Sequence, residues 1–306
     1  MDSLIKRFYQ YQKERFPVVG HGIMITSFTF SAVSYSLMCR KIEGFISVKD
    51  FLIGIFATIT LFFLVRVFDE FKDKEDDAKY RKYLPVPRGL ISLKELKYIG
   101  LVVAGIQIAV IAFFQTQMLI LYGVVIAYLL LMGAEFFVPT WLKKHQIIYI
   151  TSHMFIIPLI DIYSSGLDWL LGGSTPHLGL LFFFAVSYAN GLVLEFGRKI
   201  RHPQGEEEGV VSYTGMYGTK GGTVLWLCTL FVTMVLAIAA SVYAGYGYIS
   251  YIVFISFFTV FSIFGFLFIK KQTKKLSKMI EYASVGWTIL MYFALGAIPM
   301  LNTLIF

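Results

Sequence analysis

Asp69, Asp73 and Asp77 recur at every fourth position of the stretch RVFDEFKDKEDD, where an apolar run gives out. On a helix, positions i, i+4 and i+8 share one face, so three carboxylates stack above one another and repel. Local stability gives no reason for such a row, but a divalent cation does. Hard oxygen donors suit Mg²⁺, which takes one or two carboxylates and leaves its other positions to water and substrate phosphates. Glu70 adds a further acid, and cations crowd the same stretch: Arg66 one turn before, then Lys72, Lys74, Lys79, Arg81, Lys82 and Arg88. Carboxylates for a metal, with Lys and Arg for the remaining oxygens, match a Mg²⁺-bridged diphosphate. Expelling diphosphate from carbon needs stabilisation of the leaving group, which metal ions and cationic clamps supply electrostatically.

The elements that must position these residues are membrane helices. The chain has 306 residues, of which 57% are hydrophobic and 15% charged, whereas a soluble domain carries about 25% charged residues. Nine apolar stretches reach the roughly 20 residues a bilayer requires: 19–38, 49–68, 97–116, 118–137, 145–163, 177–195, 222–243, 249–269 and 283–305. The expected fold is all-α: a polytopic membrane protein with nine helices around a central cavity and motif loops after helices 2 and 6. Residues 1–306 are read as a single domain, with pseudo-repeat halves over 19–137 and 145–269 and a ninth helix at 283–305.

Charge supports the count. Of the 27 Lys and Arg, only Arg40, Lys41 and Lys49 fall on one side of the predicted topology. By the positive-inside rule the other side, with the N-terminus and both motif loops, is cytoplasmic, and the membrane is the plasma membrane if the source is bacterial. The net charge of +8 is therefore mostly topology, and nucleic-acid binding is a poor explanation for it. The charged first fifteen residues and the span-length first apolar stretch argue against a cleavable signal. Cys39 and Cys228 suggest neither a disulfide framework nor a metal site. The Lys270–Lys278 cluster reads as a contact for anionic lipid.

The second long loop opens on Glu195, four spans after Asp69, in LEFGRKIRHPQGEEEG. That spacing points to two pseudo-equivalent halves, each presenting a carboxylate to a shared cavity. The 30 Phe and 19 Tyr lie mostly in the spans; aromatic faces stabilise carbocations, by about 2 kcal/mol each when dry, but packing explains any single one of them better. Asp161 and Glu135 read as interfacial anchors, and His153 as a hydrogen-bonded helix contact. Glu206–Glu208 read as a solvated acidic loop, with a folded-back metal ligand as the alternative.

Asp69-Glu70-x-x-Asp73-x-x-x-Asp77 resembles the first aspartate-rich motif, NDxxDxxxD, of the UbiA-type intramembrane prenyltransferase superfamily. Leu84-Pro-Val-Pro-Arg88-Gly89-Leu-Ile-Ser92 resembles the RPxPxGxIS segment that follows it, and Gly209-Val-Val-Ser212 with Gly218 the segment after the second motif. Nine helices and a four-span separation fit as well. The resemblance implies Mg²⁺-dependent ionisation of a polyprenyl diphosphate and transfer of the prenyl group to a hydrophobic or aromatic acceptor. It implies metal binding by Asp69, Glu70, Asp73, Asp77 and Glu195, and diphosphate binding by Arg66, Lys82, Arg88, Arg198 and Lys199. Asp73 and Lys199 are the expected catalytic residues, and Asn190 a substrate contact in the cavity.

The departures are specific. Asp69 and Glu70 stand where the family has Asn and Asp, and Leu84 where it has Arg. The second motif, DxxxD, here reads Glu195-Phe-Gly-Arg198-Lys199, so Lys199 replaces a metal ligand with a fixed positive charge. An altered site admits an altered outcome: a terpene cyclase on the same scaffold, acting on farnesyl or geranylgeranyl diphosphate. A transporter, from a different class, needs broken or polar mid-span segments, and the spans offer few.

Overall fold

In the computed structural model, which describes residues 3–305 (Ile305 by its backbone alone), 81% of the chain is helical and no strand occurs among the described residues. The helices are α1 (Leu4–Arg15), α2 (Val18–Arg40), α3 (Val48–Lys72), α4 (Lys74–Tyr80), α5 (Leu93–Phe114), α6 (Leu119–Gly133), α7 (Pro139–Lys144), α8 (Gln146–Met154), α9 (Ile156–Trp169), α10 (Leu180–Arg198), α11 (Tyr213–Tyr243), α12 (Ile249–Lys271), α13 (Lys274–Tyr292) and α14 (Ile298–Ile305). Among the described residues nine helical segments have the length and apolarity of membrane spans, one for each stretch expected. The chain is an integral, multi-pass protein. The helices sort into two compact units, one of residues up to 29 with 46–174, the other of 30–45 with 175–306, and α2 passes from the first into the second.

The first unit is organised around the end of α3. Tyr11, Phe16, Ile25, Phe63, Val67, Ile91 and Leu96 form one buried cluster, with Phe16 edge-on to Phe63 at 5.6 Å. This core draws the amphipathic α1 onto α3, and its polar side is tied down by ion pairs. Arg7 grips Glu95 through two bonds of 3.1 and 2.6 Å, and Arg88 grips Glu14 through bonds of 2.8 and 2.6 Å. Between them the segment Leu84–Ser92 makes a compact turn: Leu90 N donates to Pro85 O, and Ser92 and Glu95 form a capping box that starts α5. Deeper in the membrane Gln107 donates to Ala57 O at 2.7 Å and accepts from the Tyr122 hydroxyl. With no water there, such pairing satisfies groups that would otherwise cost several kcal/mol each.

In the second unit, α10 and α13 run against one another and the C-terminal half of α2. Tyr35 stacks on Phe183 at 5.2 Å, its hydroxyl donating to Ala240 O, and Trp226 Nε1 donates to Ser284 Oγ. The last span is not a uniform α-helix: Phe293–Ala297 is π-helical. Pro299 is the cause, because it has no N–H to offer Leu295 O. The Tyr246 hydroxyl donates to that carbonyl instead, at 2.7 Å. α11 is broken at Gly218, whose φ of 73° and ψ of 161° lie in a region open essentially to glycine alone. The turn Tyr213–Tyr217 folds back there onto the span, so closely that a Cβ on Gly222 would lie 2.8 Å from Tyr213 C and O.

Candidate active site

The row of acids survives a break in the helix that carries it. α3 ends at Lys72 and α4 begins at Lys74, yet Asp73 N donates to Asp69 O, Asp77 N to Asp73 O, and Arg81 N to Asp77 O, at 2.9, 2.8 and 2.9 Å. Helical register is therefore kept through Asp73. The break also sets Glu75, Asp76 and Asp77 in the first turn of a new helix, where the dipole favours negative charge.

The four acids differ in surroundings. Asp69 and Asp73 are 29% and 31% exposed. Asp77 is buried with Arg81 Nε 2.6 Å from its Oδ1; burial pushes its carboxyl up, against the pull of that guanidinium. Glu70 is the most enclosed, at 1%. Its Oε1 accepts from Arg66 at 2.8 Å, Arg15 at 2.7 Å and the Tyr11 hydroxyl at 3.4 Å. Its Oε2 has no hydrogen-bond partner. Burial and the Glu70 charge together raise the Tyr11 phenol. Arg66 also reaches Asp69 Oδ2 at 3.6 Å. Lys72 completes the group: its ammonium lies 3.3 Å from Asp69 Oδ1 and 4.0 Å from Asp73 Oδ1.

These residues suit a divalent cation of the Mg²⁺ kind, judged by their donor chemistry. Asp69 and Asp73 offer accessible carboxylate oxygens one turn apart. Among the described residues no three His, Cys, Asp or Glu side chains gather into a cage. An ion that takes one or two carboxylates and draws its other ligands from water and phosphate needs no such cage.

The second motif has the opposite balance. Glu195, near the end of α10, is buried at 8%; its two oxygens lie 2.5 Å from Arg198 Nη2 and 2.5 Å from Lys199 Nζ. Lys199 also sits 6.0 Å over the Tyr213 ring. The loop beyond is closed by its own polar groups. Glu206 accepts from Ser212 Oγ and from Thr214 Oγ1, bracing the start of α11, while Glu207 pairs with Arg201 at 2.8 Å. One turn and a half before Glu195, Asn190 is fully buried with both amide atoms unpaired, and Ser187 Oγ beside it on α10 is unpaired as well.

A profile of the UbiA prenyltransferase family matches residues 27–285. The chain belongs to that family. It is thus a membrane prenyltransferase of the UbiA kind, and both acidic segments fall inside the match. Two solved structures share the fold. A digeranylgeranylglyceryl phosphate synthase structure is 16% identical, covering 96% of this chain and 99% of that one, with a TM-score of 0.60. An apo UbiA homologue from Aeropyrum pernix K1 is 17% identical, covering 91% and 97%, with a TM-score of 0.64. No curated protein sequence matches the chain.

Within this UbiA chain, the structure gathers Arg66, Asp69, Glu70 and Asp73 at one helix end, and Glu195, Arg198 and Lys199 at another. Arg88 is committed to Glu14 and to Tyr83 O, and Lys82 is exposed. Sequence reasoning missed Arg15 and Tyr11 as partners of Glu70. The signal available was the amphipathic pattern of 4–15, which demands an apolar partner. Asp161, expected as an interfacial anchor, is fully buried on α9. His153 is the helix contact expected, with Nδ1 2.7 Å from Tyr149 O.

Proposed function

We propose that this chain binds a polyprenyl diphosphate with Mg²⁺ and breaks its allylic carbon–oxygen bond, passing the prenyl group to a lipophilic acceptor. The observation that carries the reading is the exposed Asp69–Asp73 pair set against the buried Arg15–Glu70–Arg66 brace. Asp69 and Asp73 hold the metal, with Asp77 backing the same row. A divalent cation there supplies neutralisation of the charge that develops on the leaving group. Arg66 is kept charged and fixed by Glu70, so it stabilises diphosphate oxygens without reorganising. Lys199 and Arg198 supply further positive charge, with Glu195 orienting both. The electron pair of the broken bond leaves with diphosphate; the acceptor provides the pair for the new bond and gives up a proton. Asn190 meets the polar end of a substrate. The cytoplasmic placing of the N-terminus rests on the Lys and Arg asymmetry and is read by labelling a single introduced N-terminal cysteine in sealed cells.

Purified protein in lipid nanodiscs, given farnesyl or geranylgeranyl diphosphate, tests the reading. Diphosphate release should require a divalent cation and fall to background in Asp73→Ala; release unaffected by that change would sink it. The replacement of the second acid of the second motif by Lys199 favours one other reading, cyclisation. Incubation without acceptor separates the two, because a cyclase releases a hydrocarbon or terpene alcohol at full rate.

A further inference from the structure

Asp69 and Asp73 face two cations that are held in different ways. Arg66, 3.6 Å from Asp69 Oδ2, is held by Glu70 at 2.8 Å and is itself enclosed. Lys72 is as enclosed, with its side chain 12% exposed, but no further carboxylate ties it: its ion-pair partners are Asp69 Oδ1 at 3.3 Å and Asp73 Oδ1 at 4.0 Å, and it also hydrogen-bonds the Tyr149 side chain. On its other side is an aromatic surface, the Tyr149 ring, 5.4 Å from the ammonium. That ring is fixed by stacking on His153 at 4.2 Å. A lysine is a point charge on a flexible stem, and it lies on the same carboxylate oxygens that a hard dication would take.

We propose that Lys72 is a built-in counter-cation of the Asp69–Asp73 pair, released when a divalent metal arrives with a polyphosphate. This inference rests on the metal-and-diphosphate reading above. A dication alone must displace the ammonium from both acids and leave it largely enclosed without an anion. A dication carrying diphosphate brings oxygens that accept the freed ammonium, while the Tyr149 face steadies it by cation–π attraction. Metal and diphosphate therefore favour each other's binding, and by linkage the factor is the same in both directions. Lys72 is in this account a substrate-binding residue that also guards the acids against metal alone.

The test measures Mn²⁺ binding by electron paramagnetic resonance on the whole protein in nanodiscs, and then binding of inorganic diphosphate at saturating Mn²⁺. Lys72→Met should tighten Mn²⁺ binding about tenfold in the absence of diphosphate, and weaken diphosphate binding by a similar factor. Lys72→Arg, which keeps the charge, should stay close to wild type in both. These opposite signs separate the proposal from a structural role, since a damaged site weakens both. If Lys72→Met does not fold, Lys72→Gln carries the same expectation. Mn²⁺ affinity unchanged or reduced in the neutral variants, while Asp73→Asn abolishes it, overturns the role of Lys72 and leaves the reading standing. Mn²⁺ affinity that is indifferent to Asp73→Asn overturns both.

Discussion

The two acidic segments end membrane helices in the same way and are braced in different ways. At the end of α3, Glu70 is held by Arg15, which comes from 55 positions earlier in the chain, as well as by Arg66 one turn away. At the end of α10, Glu195 is held by Arg198 and Lys199, three and four positions on. The first arrangement leaves two carboxylates, Asp69 and Asp73, near the surface. The second encloses its carboxylate and leaves two cations outside, with Arg198 60% exposed and Lys199 30%. One segment is built to offer oxygens and the other to offer positive charge. The difference divides the chemistry between the two segments: on the proposed reading, metal ligation falls to the one with accessible acids.

The sharpest way to break this comparison is to remove one acid from each side. Asp73→Ala should lower the rate of diphosphate release about a thousandfold, the scale of a lost electrostatic catalyst. Glu195→Gln should cost only about tenfold, because Arg198 and Lys199 keep their charge and lose their tether. Single-turnover rates at saturating Mg²⁺ decide it. Equal losses would mean that Glu195 is a metal ligand of the same rank.

Stability offers the next test. Glu70→Gln strands two guanidiniums, each only 15% exposed, and should lower stability by about 3 kcal/mol. Glu195→Gln strands cations that water already reaches, so about 1 kcal/mol is expected. Thermal unfolding in one detergent compares them, and the ranking fails if Glu195→Gln melts lower. Of smaller size, Lys199→Met should raise the KM for the prenyl diphosphate roughly tenfold with kcat nearly unchanged, as for a charge that binds ground and transition states alike. A kcat effect of that size would instead make Lys199 part of the chemical step.

How much of this was legible beforehand follows the same division. The nine spans and the stacked acids were readable because hydropathy and helical period are local properties of the chain. The helix break at Asp73 was not, since hydrogen bonds from Asp69 to Arg81 carry the register through it. Local reading also caught Glu195 with Arg198 and Lys199, which lie within two turns. It failed for Arg15 and Tyr11, because their contact with Glu70 depends on where α1 packs. The acidic triplet behaves similarly: Glu206 reads as solvated, and only the fold-back at Gly218 shows why Ser212 and Thr214 are there to hold it.

The long-range brace makes one further difference between the segments measurable, through pH. α1 is fastened over the first motif partly by Glu14 and Arg88, and the hydrogen bonds from Arg88 and then Gln10 hold the Glu14 carboxyl below its usual range. A carboxylate with a lowered folded value lends stability above its unfolded pKa, about 4.3, and that stability is lost as pH falls through the folded value. The pair is solvent-accessible, at 36% and 30%, so its worth is small, about 0.5 kcal/mol. Glu14→Gln should therefore melt slightly lower than wild type at pH 7, and the gap should close as pH is taken below 4. A matched variant in the second segment's loop, Glu207→Gln, removes the exposed partner of Arg201 and should also shift melting slightly. Only the Glu14 change should additionally expose α1 to proteolysis, because only there does the ion pair join distant parts of the chain. Equal protease sensitivity in the two variants would show that the Glu14–Arg88 pair does not hold α1, which then rests on its apolar face and on the Arg7–Glu95 and Arg15–Glu70 pairs.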